Sequence, residues 1–163
     1  MLKDRKHYYR LATRPPSFFR ETLEKALCRA PRIYEQGEGP PGRQAAKRTF
    51  ELALFDEAKD PFYFTLSILR EAGEPDENDM SLVGTVFDEL IRMDDAARAI
   101  PCQYDENEEL FEVEIDLDQR QVVFRYSSTL WNTEWTVHFR SDESGAWVCL
   151  GIPDWQSPGR YII

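Results

Sequence analysis

Several kinds of chemistry lack their usual raw material in this chain. Its 163 residues include only 3 Cys and 2 His. Cys28, Cys102 and Cys149 are far apart and form no CxxC pair, so neither a disulfide framework nor a zinc site is expected. His7 and His138 are also far apart, and no HExxH occurs. There is no GxSxG elbow, and the glycines of EQGEGPPGR are not followed by Lys-Ser/Thr, which excludes a phosphate-cradling P-loop. The acidic loops DENDMS and DENEEL do not follow the calcium-loop pattern. No metal, cofactor or catalytic residue is therefore assigned. No apolar run approaches the roughly 20 residues that span a bilayer, and MLKDRKHYYRLATRPP has no apolar signal core. These features point to a soluble, cytoplasmic protein with no membrane partner.

Acidic residues are abundant. The 30 Asp+Glu outnumber the 20 Lys+Arg, for a net charge of -10. The imbalance is uneven: residues 1–48 hold 12 Lys+Arg against 5 Asp+Glu, whereas residues 49–163 hold 8 against 25. A single domain is expected, with a basic helical segment (1–48) and an acidic α+β body (49–163). The basic segment can neutralise the body by packing on it. Alternatively, the acidic body faces a basic partner, since complementary fields speed association. Lys and Arg are too scarce after residue 48 for the body to bind nucleic acid directly.

The body is read from its periodicity. Phe111, Val113, Ile115 and Leu117 alternate with Glu112, Glu114, Asp116 and Asp118, which predicts a strand with one apolar face and one row of carboxylates. Strands are predicted at about 109–117, 121–128, 133–140 and 146–151, the first two joined by a hairpin at Asp118-Gln119-Arg120. Val122, Phe124, Tyr126, Trp135, Val137 and Phe139 fall on the core face. Arg125, His138 and Arg140 fall with the carboxylates. Residues 61–69 read as a strand and 48–56 as a more ambiguous one. A helix capped by Ser17 is predicted to about Ala30, with Cys28 near its apolar stripe. A second is predicted from Ser81 to Ile100, with Asp88, Glu89, Asp94 and Asp95 on a solvated face. The expected fold is α+β: an antiparallel sheet of about five or six strands with two main helices on one face.

Binding outweighs catalysis on these residues. Paired carboxylates could serve a hydrolase, but with this many acids their coincidence in sequence carries little information. The expected protein-binding residues are Glu108, Glu109, Glu112, Glu114, Asp116, Trp131, Asn132 and Glu134: the carboxylate row, the acids before it, and a tryptophan-bearing loop. A homodimer or a general interaction module is the alternative.

The stretches FDELIRMDDAARAI, ELFEVEIDLDQRQVVFRYSSTLWNTEWTVHF and WVCLGIPDW resemble small acidic bacterial domains of unknown activity, among them immunity proteins of polymorphic toxin systems. The resemblance covers roughly residues 80–155. It implies a non-enzymatic cytosolic inhibitor that binds one basic toxin domain tightly and occludes its active site.

Overall fold

The structure, a computed structural model, describes residues 14–35, 46–55, 62–71, 73–100, 108–128, 133–153 and 161–162. Helix α1 (Pro16–Leu27) is followed by strands β1 (Arg32–Glu35), β2 (Ala46–Phe55) and β3 (Phe62–Arg70). Helices α2 (Glu77–Asp88) and α3 (Leu90–Arg98) come next. Strands β4 (Glu108–Asp116), β5 (Gln121–Ser128), β6 (Thr133–Ser141), β7 (Trp147–Pro153) and β8 (Tyr161–Ile162) complete the chain. The strands lie side by side in chain order, with β8 a two-residue ladder on Ile152 and Pro153.

This is the expected α+β class, with more strands than the sequence suggested: β1 and β8 are too short to announce themselves by alternation. The ambiguous segment is a strand, starting at Ala46. Every pairing is antiparallel except β3 with β4. The intervening α2–α3 pair makes the crossover that parallel neighbours require.

Burial follows the period of each element. In α1, Phe19, Leu23 and Ala26 are buried along one stripe. Pro15 occupies the cap position and Pro16 the first turn, so Ser17 does not cap it. Cys28 lies just past the end of α1 and is exposed, correcting its expected place in the core. The long second helix is divided at Glu89. Its start is set by a reciprocal capping box between Asp76 and Asp79, four residues earlier than predicted. The buried stripe continues across the break as Val83, Val86, Phe87, Leu90, Met93 and Ala97. Gly84 leaves room for the Arg20 guanidinium of α1, which a Cβ there would displace and which donates to Asp88 at 2.9 Å.

The three described helices all cover one face of the sheet. That face carries Leu52, Phe64, Leu66, Ile68, Val113, Ile115, Val122, Phe124, Tyr126, Trp135, Val137, Phe139 and Trp147. The core phase predicted for β5 and β6 is the one observed. In β4 the phase breaks: a bulge between Leu110 and Glu112 makes Leu110, not Phe111, the buried residue. One extra residue in a strand shifts every side chain before it to the opposite face. Phe111 is only half-buried.

One buried polar group runs against the expected solvated helix face. Asp94 is 4% exposed and sits in the apolar stripe of α3, one turn after Leu90. Tyr126 donates its hydroxyl to Asp94 Oδ1 at 2.7 Å, and Arg98 Nε donates to both carboxylate oxygens at 3.1 and 3.0 Å. The Arg98 guanidinium lies over the Tyr126 ring at 5.2 Å, and that ring stacks on Trp135 at 4.4 Å. Burial pushes the Asp94 carboxyl up, and Arg98 and Tyr126 only partly oppose this.

Candidate functional site

With the helices on one side, the other face of the sheet is polar, and strand register arranges it in rows. One row runs Glu109–Ser127–Glu134. The next runs Glu51–Thr65–Glu112–Arg125–Thr136. A third runs Thr49–Ser67–Glu114–Val123–His138, and a fourth Lys47–Leu69–Asp116–Gln121–Arg140–Val148. Five expected binding residues, Glu109, Glu112, Glu114, Asp116 and Glu134, thus share one face. Glu108 begins β4 opposite Ser128. Trp131 and Asn132 lie outside the described residues, as do residues 3–12 of the basic segment, residues 36–43 of the EQGEGPPGR stretch and most of DENEE.

The centre of the face is a mixed-charge cluster. Lys47 Nζ lies 3.5 Å from both Glu112 Oε1 and Glu114 Oε2. From the other side, Arg125 lies 3.7 Å from Glu112 and 3.4 Å from Glu114. Ser67, fully buried, donates its hydroxyl to Glu112 at 3.1 Å. The two glutamate side chains are only 14% and 16% exposed, the two cations 34% each. Each ion pair contributes about 1 kcal/mol or less, since water still reaches the cations. Arg125 was expected beside the row. Lys47 and Ser67 were not, because they arrive from β2 and β3, far away in sequence. The available signal was the alternation of Lys47, Thr49 and Glu51 with larger neighbours, and of Thr65 and Ser67 with Phe64, Leu66 and Ile68.

The outer members of the row differ from the centre. Asp116 accepts the backbone N–H of Gln119 at 3.0 Å and so shapes the Leu117–Arg120 turn, where Arg120 adopts φ 53. Glu134 and Glu51 are exposed, and Glu109 is half-buried. The solvent-facing acidic groups of these rows are therefore Glu51 and Glu134 rather than the paired centre. His138 and Cys149 are on opposite faces, because Cys149 pairs with core residue Phe139. They do not form a nucleophile–base pair, and burial raises the Cys149 thiol above its ordinary range.

Burial, then the nearby Arg125 charge, lowers the pKa of His138, while Glu114 opposes this. A lowered folded-state pKa gives stability that is present above the ordinary value of 6.5 and is lost as pH falls through the folded value. His138→Gln should flatten the decline in stability below pH 6.5, measured by urea denaturation at a series of pH values.

Among the described residues, no group of three or more His, Cys, Asp and Glu could hold a metal ion, and no helix is long and apolar enough to cross a membrane. Compared with protein-family models, curated proteins and solved structures, the chain has no significant match.

Proposed function

We propose that the protein is a non-enzymatic binding protein that docks a basic protein domain on the polar face of its sheet. Its specific form is an immunity protein that covers the substrate groove of a toxin. The observation that carries the proposal is the convergence of Glu109, Glu112, Glu114, Asp116 and Glu134 on the face opposite the described helices, with the Glu112–Glu114 centre held in place by Lys47, Arg125 and Ser67. Held side chains lose little freedom on association, which favours binding. Exposed Glu134, with Glu109 on the same row, supplies the field that steers a basic partner.

The test is affinity capture with the wild-type chain and Glu109→Lys/Glu134→Lys side by side, with the bound protein identified by mass spectrometry. A basic domain recovered by the wild type and lost from the double variant is expected. A partner held equally by both places the interface elsewhere.

A further inference from the structure

The exposed charges on the polar face of the sheet change sign from one end to the other. Glu134 stands in the first of its rows and Glu51 in the second. Arg32 pairs with Thr49 and so extends the third row, and Arg140 stands in the fourth. These side chains are exposed, and none makes an ion pair or a side-chain hydrogen bond with another described residue. Between them, Glu112, Glu114, Lys47 and Arg125 are engaged with one another, and Asp116 with the backbone of its turn. Glu134 and Arg140, both on β6, lie about 20 Å apart along the strand. The basic end also carries apolar surface. Val148, 45% exposed, is the register partner of Arg140, and half-buried Leu69 lies in the same row.

We propose that the docking surface is bipolar: the domain it accepts sets basic groups on Glu51 and Glu134 and an acidic group, with apolar surface beside it, on Arg140 and Val148. This rests on the reading of the face as a docking surface for a basic domain, and specifies what that domain must carry. A uniformly basic surface would set a cation against Arg140, and juxtaposed like charges count against a partner. An acid about 20 Å from the basic groups removes that conflict and decides which way round the partner lies along β6. The middle of the face needs no charge from the partner, because Lys47 and Arg125 already neutralise Glu112 and Glu114. The dimensions suit one protein partner. From β1 to β6 the face spans about 24 Å across the strands, so the charged corners fit within the roughly 800 Å² that each partner gives to a stable interface. An arginine flanked by apolar contact is also the chemistry of binding hot spots.

The experiment is equilibrium binding of the captured basic domain to the full chain carrying Glu134→Lys, Arg140→Glu or Arg140→Lys, each checked for a native circular-dichroism spectrum. Both charge reversals should weaken binding about tenfold, and Arg140→Lys should retain it. A zero-length carbodiimide should then join the lysine introduced by Arg140→Lys to a carboxylate of the partner. If Arg140→Glu does not fold, Arg140→Gln carries the same expectation in direction. A uniformly acidic docking face predicts the reverse, that Arg140→Glu strengthens binding. Stronger or unchanged binding by Arg140→Glu, with Glu134→Lys still weakened, would overturn the bipolar surface and leave the docking of a basic domain standing. Indifference to both reversals, or capture of no basic domain, would overturn both. Because a bipolar face is complementary to itself, the free wild type is also examined by light scattering and is expected to be monomeric. A dimer lost on Arg140→Glu would make a second copy the occupant and overturn the proposal.

Discussion

Replacing Arg98 with Met should destabilise the protein by about 3–5 kcal/mol near neutral pH, the usual cost of leaving a buried charge without its partner. The Asp94 carboxylate is 4% exposed, and Arg98 supplies its one cation among the described residues. The loss should depend on pH with a definite sign. A carboxyl whose folded-state pKa is raised gives stability that is fully present below its ordinary 3.8 and is lost as pH rises through the folded value. Without Arg98 the folded value climbs further, so the deficit of the variant grows from acid toward neutral pH. Urea denaturation of both proteins at about pH 7 and about pH 4.5 measures this. Asp94→Asn combined with Arg98→Met should recover most of the loss, because the amide can still accept the Tyr126 hydroxyl. An equal deficit at both pH values would mean that packing, not charge, dominates at this position.

The second large effect is expected at Trp147. It is 1% exposed, its indole N–H donates to Thr85 Oγ1 at 3.3 Å, and its carbonyl accepts from Arg92. One residue thus joins β7 to both sides of the α2–α3 junction. Trp147→Ala should cost about 3–5 kcal/mol and lower the Tm on the order of 10 °C. The loss should appear first as faster amide exchange in β7 and α3. Uniform exchange throughout the chain would show that β7 opens only with the whole fold.

What the sequence made legible, and what it hid, divides along the range of the interactions. Strands β4 to β7 were visible because Val122, Phe124, Tyr126, Trp135, Val137 and Phe139 alternate with polar residues, and alternation needs no tertiary information. The carboxylate face was visible for the same reason. The bulge at Phe111 was not, since an extra residue leaves no mark on composition. Asp94 was misplaced because Asp and Arg four residues apart on a helix look like a solvated surface pair. Only Tyr126, reaching in from β5, gives the carboxylate a buried partner. The cluster that fixes the site was half visible: Arg125 is on the neighbouring strand, whereas Lys47 and Ser67 come from β2 and β3 through the parallel β3–β4 pairing. The break at Glu89 was hidden because the apolar stripe runs through it unbroken.

On the proposed function, a basic protein partner docks on the sheet face opposite the described helices, steered by the acids at its Glu109–Glu134 end. The most direct measurement is the association rate of that partner with the wild type and with Glu109→Lys/Glu134→Lys, by stopped flow at low and high ionic strength. Steering predicts that the double variant associates about tenfold or more slowly at low salt and loses most of the salt dependence of the wild type. Unchanged rates with the full salt dependence retained would contradict it.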